Sequence, residues 1–164
     1  MADFLELNGS EEFNFFKLAK NSQKLQGSFL INLTRELKHS VLNENERVSF
    51  SIEGFTDEDK KPYLKVQIQA NLKLQCQRCL DELALNLDLN STYLLSSKEE
   101  EEFLEQKILF CRESSNLIEF LEEELILSLP MIAKHEDCSL PIDLVEDIPK
   151  NNPFEQLKFL MNKE

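Results

Sequence analysis

The sequence predicts an α+β domain: an antiparallel β-meander sheet packed with a few helices, followed by a C-terminal tail helix. Three observations predict it. YLKVQIQANLKL places Leu64, Val66, Ile68, Ala70, Leu72 and Leu74 on alternate positions without a break, the pattern of a half-buried strand. RVSFSIEGF before it and LALNLDLN after it keep the same period of two. SSNLIEFLEEELILSLP instead spaces Ile118, Leu121, Leu125 and Leu129 along one face of a helix.

Taken in order, residues 11–21, EEFNFFKLAKN, predict a short helix, and LQGSFLI, 25–31, a strand. In LTRELKHSVLN, 33–43, Leu33, Leu37, Val41 and Leu42 stand close to helical spacing. Val48, Phe50 and Ile52 then share one face of a strand, and TDEDKKP is a polar turn. The alternating strand ends at CQRC, residues 76–79, after which Leu83, Leu85, Leu87 and Leu89 resume the alternation. Three such runs suggest an antiparallel meander with one buried and one wet face. KEEEEF, 98–103, is an acidic loop, and KILFC, 107–111, offers one more strand. Ser115 or Asn116 can cap the long helix, Glu119, Glu122 and Glu123 are expected to face away from the core, and Pro130 closes it. MIAKHEDCSLP is a loop and DLVEDIPKN a linker. In NNPFEQLKFLMNK, Asn152 caps a tail helix with Pro153 at its first position and Phe154, Leu157, Phe159, Leu160 and Met161 as its apolar residues. The expected organisation is a single domain over 1–145 and a linker with an NPF-type tail helix over 146–164.

A chain of 164 residues with 41% apolar and 30% charged residues can bury a core without disulfide staples. The start, MADFLELNGS, lacks the basic and apolar regions of a signal peptide, and LILSLPMIA is too short to span a membrane. The expected location is the cytoplasm, where thiols stay reduced and four cysteines point to metal, chemistry or packing. The net charge of −13 argues against a domain whose main task is gripping phosphates, and it fits a basic protein partner, ribosomal proteins included. Between Asn14 and Ser40, however, Lys17, Lys20, Lys24, Arg35 and Lys38 face one acid, Glu36. Any nucleic-acid contact is expected there, set against the plainer reading of solvated helix faces.

CQRC admits three readings. A redox pair needs a strand-to-helix junction whose dipole lowers a thiol pKa, and the residues after Cys79 alternate as a strand. A metal site needs a second half, which His135-Glu136-Asp137-Cys138 supplies: C-x2-C and H-x2-C turns offer the Cys3His donor set that zinc accepts. Arg78 would offset the thiolate charge. The third reading is packing of Cys76 and Cys79 as small apolar residues. The residues leave zinc and packing both open. Four ligands would make the site structural, with no open coordination position. Cys111 reads as a core residue, and His39 is assigned no role. The sequence has no G-x-S-x-G, no phosphate-cradling glycine loop and no H-E-x-x-H, so no enzyme is expected.

The ordered series of CQRCL after a long alternating strand, LIEFLEEELILSLP, H-x2-C and NPFEQLKFL resembles the YceD family, bacterial proteins with plastid relatives described as large ribosomal RNA subunit accumulation proteins. The resemblance runs from FNFFKLAK to the NPF helix. It implies a role in 23S rRNA accumulation and large-subunit biogenesis, with no known catalytic activity. It singles out Cys76, Arg78 and Cys79, with His135 and Cys138 as a second cluster. Ala133 stands where family members often carry proline, and the segment between the third strand and the long helix looks short. The expected protein is therefore a non-enzymatic factor acting through a ribosomal or assembly protein, or through rRNA, without a membrane. A thiol redox protein using Cys76 and Cys79 and a general acidic adaptor are the alternatives.

Overall fold

The computed structural model describes residues 4–9, 11–97, 107–111 and 114–140. The acidic loop over 98–103, the linker, the tail helix with Asn152 and Pro153, and the boundary at 145 lie outside the described residues. The α+β class holds. The order is β1 (Phe4–Glu6), β2 (Glu12–Phe13), α1 (Phe15–Lys20), β3 (Lys24–Leu30), a 3-10 turn (Ile31–Leu33), α2 (Leu37–Ser40), β4 (Arg47–Thr56), β5 (Pro62–Gln75), β6 (Glu82–Ser96), β7 (Ile108–Phe110), β8 (Ser115–Asn116) and α3 (Leu117–Ser128).

The meander expectation is half right. β3, β4, β5 and β6 pair antiparallel in sequence order, but β1 joins β3 and β7 joins β6 in parallel, so the sheet is mixed. Between β1 and β3 the chain passes through β2 and α1, and such a crossover lets it re-enter the sheet in the same direction. β2 leaves the main sheet and pairs with β8.

Alternation decides the buried face. Val48, Phe50 and Ile52 of β4 and Leu64 to Leu74 at even positions of β5 are all buried. Leu83, Leu85, Leu87 and Leu89 pack against them from β6. α1 and α3 bring Phe15, Leu18, Ala19, Leu117, Leu121 and Leu125 into the same core. Gly54 is what lets α1 rest on β4: a Cβ there would stand 2.5 Å from the backbone at Leu18 and Ala19.

Two expected helices shrink. The run 11–21 keeps its helix only from Phe15, because Asn14 caps it by accepting from the Lys17 amide at 2.7 Å. The run 33–43 becomes the 3-10 turn and the single turn of α2. The cause is also a correction about Glu122, which does not face away: it is 4% exposed. Its carboxylate accepts from the amides of Arg35 at 3.1 Å, Glu36 at 2.6 Å and Leu37 at 2.9 Å. Three bonds to one charge, each contributing about 1.5–3 kcal/mol before desolvation is counted, fix this turn against α3. Glu122 stands four residues after Ile118 and three before Leu125, so its place on the apolar stripe was already visible in the spacing. α3 itself begins as expected, with the Asn116 side chain accepting from Ile118 and Glu119 amides.

Candidate metal centre

β5 and β6 remain in register to Gln75 and Glu82, leaving Cys76–Asp81 as their connection. That connection folds as a knuckle. The Cys76 amide donates to the Asp81 carbonyl at 2.9 Å, and the Leu80 amide donates to the Cys76 carbonyl at 3.0 Å. The Arg78 amide points at Cys76 Sγ, 3.4 Å away. Leu80 takes φ 67°, a left-handed conformation that a leucine adopts only at a cost.

The second loop follows α3. Its Ala133 carbonyl accepts from the Gln77 amide at 2.7 Å, which seats the loop against the knuckle. Cys76, Cys79, His135 and Cys138 then converge, with all four donor atoms within 4.8 Å of one another. Cys76 Sγ lies 3.7 Å from Cys138 Sγ, and Cys79 Sγ lies 3.3 Å from His135 Nδ1. Among the described residues it is the one cluster of three or more such side chains that could hold a metal ion.

The surrounding groups orient these donors. His135 Nε2 sits 3.2 Å from the Glu82 carbonyl. A carbonyl only accepts, so the proton belongs on Nε2 and the Nδ1 lone pair is directed at the cluster. Arg78 Nε donates to Cys138 Sγ at 2.9 Å, while Nη2 donates to the His135 and Glu136 carbonyls at 2.8 and 3.0 Å. Arg78 therefore does more than offset charge: it fastens the second loop to the first.

The thiols are not equivalent. Burial would raise the Cys76 thiol, but amide donation from Cys79, Arg78 and His135, with help from the Cys79 side chain, outweighs it and holds the thiol down at about 5. At Cys79 the Asp81 amide pulls downward, yet burial and the adjoining Cys76 and Cys138 sulfurs push the thiol up to about 11. One thiolate forms readily and a second beside it is resisted. A cation held at the centre would relieve this repulsion.

Other expected residues fall elsewhere. Cys111 is half-buried against the core, apart from the cluster, and burial pushes its thiol up to about 11. His39 lines a groove beside the knuckle. Of the five basic residues, Lys17 and Lys24 border one depression together with Glu12, whereas Arg35 and Lys38 flank the turn held by Glu122. Lys17 and Lys20 thus lie on α1, Lys24 opens β3, and Lys38 lies on α2 with Arg35 in the turn before it. Sequence reading missed Tyr93, whose hydroxyl donates to Glu124 and whose phenol is pushed up to about 12, by burial first and then by that carboxylate. No helix among the described residues is long and apolar enough to cross a membrane.

The fold and the site define a mixed-sheet α+β domain whose two Cys-bearing loops meet in a Cys3His cluster able to hold a metal ion. The family model described as "Large ribosomal RNA subunit accumulation protein YceD" matches residues 64–160, and the chain belongs to that family. It is also 28% identical over 151 residues to the large ribosomal RNA subunit accumulation protein YceD of Haemophilus influenzae, an alignment covering 84% of this chain and 87% of that protein. No solved structure matches the chain.

Proposed function

We propose that this protein is a non-enzymatic factor for 23S rRNA accumulation and large-subunit biogenesis, its fold closed by a structural zinc ion on Cys76, Cys79, His135 and Cys138. The observation that supports it most is the meeting of the C-x2-C and H-x2-C loops, remote in sequence, inside a member of a family described by rRNA accumulation. Zinc–sulfur bonds of about 2.3 Å place tetrahedral sulfurs about 3.8 Å apart, and a sulfur and an imidazole nitrogen about 3.6 Å apart. The separations of 3.7 and 3.3 Å lie within about 0.3 Å of those edges, and all four donor atoms lie within 4.8 Å of one another. Four protein donors complete the shell, so the ion would brace the loops and leave no position for a reacting water.

Cytoplasmic action through a basic ribosomal or assembly protein fits the charge of −13. Direct rRNA contact would use Lys17, Lys20, Lys24, Arg35 and Lys38. It predicts binding that weakens with salt and is lost when they are replaced. The thiol redox reading has less support: the thiol of lowered pKa, Cys76, is fully buried, and the element after the knuckle is a strand.

The test joins metal to function. Purified untagged protein should carry about one zinc per chain, and Cys79→Ser should lose the metal together with thermal stability. Cells lacking the protein should show a deficit of 23S relative to 16S rRNA, restored by the wild type and poorly by Cys79→Ser. An unchanged rRNA ratio in cells lacking the protein would refute the rRNA role. Metal-free, fully stable wild-type protein would refute the zinc site.

A further inference from the structure

β6 is paired along the whole of one edge and along little of the other. Its inner edge meets β5 in unbroken register from Glu82 to Leu94, whereas β7 covers only Leu94, Leu95 and Ser96 on the outer side. No other strand among the described residues pairs with β6. The Leu94 amide donates outward, to the Lys107 carbonyl at 2.9 Å. Backbone direction alternates along a strand, so Ala84, Asn86, Asp88 and Asn90 also turn their N–H and C=O groups away from β5. Proteins blunt such an edge with lysine, proline, a bulge or brevity. The opposite edge of the sheet, β1, is three residues long. Residues 82–93 use none of these devices: they contain no lysine and no proline, their register has no bulge, and Glu82 and Asp88 are their only charges. Leu83, Leu85, Leu87 and Leu89 are half-buried, while the β5 residues opposite them are buried. The core therefore thins toward this edge.

We propose that this edge pairs with the same edge of a second copy, antiparallel about a two-fold axis at Asn86, joining the two sheets into one. The sequence around Asn86 is close to a palindrome, LALNLDL over 83–89. Outward-facing residues then exchange backbone bonds with each other: Asn86 meets its own copy, and Ala84 meets the second copy's Asp88. On the core face Leu83 stands opposite the second copy's Leu89, and Leu85 opposite its Leu87. All four half-buried leucines gain an apolar neighbour about 5 Å away. Moving the axis to Leu87 would set Leu83 against Ser91 instead, so Asn86 is the centre that uses every leucine. No like charges meet, since Glu82 faces Asn90 and Asp88 faces Ala84. Charge also selects the occupant. An extended basic segment of another protein would need a row of acids, and this edge offers two, about 20 Å apart along the strand. The contact is isologous, so it closes at two copies and each edge protects the other.

The experiment is sedimentation velocity on the full chain from about 1 to 200 µM at about 0.15 M salt, for the wild type, Asn86→Lys, Asn86→Asp and an equal mixture of the two variants. Asn86 is exposed on the face away from the core, so neither change disturbs packing, and an unaltered circular dichroism spectrum serves as the folding control. The wild-type mass should rise with concentration toward twice that of the monomer. Each variant alone sets two like charges opposite each other at the axis and should raise the dissociation constant at least about tenfold. In the mixture a cation faces an anion, and association should return to the wild-type range, which a misfolded variant could not produce. A wild type that stays monomeric at the highest concentration would overturn the proposal, as would a dimer that neither variant weakens. Variants that remain apart when mixed would overturn the axis at Asn86.

Discussion

Replacing Arg78 tests whether the two loops act as one metal-binding unit. Arg78→Ala removes the bond from Nε to Cys138 Sγ at 2.9 Å and both bonds from Nη2 to the carbonyls of His135 and Glu136. The carbonyls belong to a loop with exposed residues, where water can replace the guanidinium, so they contribute about 0.5 kcal/mol each. The charge-assisted bond to sulfur contributes about 1.5–3 kcal/mol. The loss expected in the metal-bound state is therefore about 2.5–4 kcal/mol. Groups that orient metal ligands typically alter affinity by about 10–100-fold, which is about 1.4–2.8 kcal/mol and overlaps the lower end of that sum. Competition against a chromophoric chelator on the full chain at neutral pH reads this directly. Arg78→Lys should recover only part of the loss, because an ammonium keeps the charge but cannot span a sulfur and two carbonyls in one plane. Wild-type affinity in Arg78→Ala, within twofold, would refute the clamp. Full recovery in Arg78→Lys would show that charge alone matters.

Three further outcomes follow from single side chains. Glu122→Ala leaves the amides of Arg35, Glu36 and Leu37 without their acceptor and should lower the unfolding free energy by about 3 kcal/mol in urea titration; a loss under about 0.5 kcal/mol would mean that water replaces the carboxylate. Leu80→Gly relieves a left-handed residue and should gain about 1 kcal/mol, measured on the metal-bound protein; destabilisation would show that the half-exposed leucine packs against something that matters. Tyr93 has a folded pKa of about 12 against an ordinary 10, so the fold favours the neutral phenol. Its contribution is complete below pH 10 and is lost as the pH rises from 10 to 12. Melting curves between pH 8 and 11.5 should fall less steeply for Tyr93→Phe than for the wild type; parallel curves would contradict the assignment.

The strands were legible in the sequence because a period of two needs only near neighbours. Burying one face of β4 or β5 requires Val48, Phe50 and Ile52, or Leu64 to Leu74, to alternate whatever lies above them. The helix from Leu117 was legible for the same reason, at its own period, with Asn116 as cap. The four candidate ligands could be named because thiol and imidazole at x2 spacing are rare donors in a compact turn.

Tertiary structure decided the rest. The parallel placement of β1 and β7 depends on how the chain crosses the domain, and local alternation is the same for either strand direction. The run 33–43 has helical spacing, yet Glu122, more than eighty residues away, takes up its amides and limits it to one turn. No property of either segment alone contains that contact. The metal centre is the clearest case. The sequence supplied Cys76 and Cys79 on one loop and His135 and Cys138 on another, with packing and metal binding equally open. Only the folded chain, through the hairpin of β5 and β6, the end of α3 and the bond between Gln77 and Ala133, sets those four atoms within 4.8 Å of one another. Donor chemistry is a property of residues, whereas convergence is a property of the distance between them, which the whole fold determines.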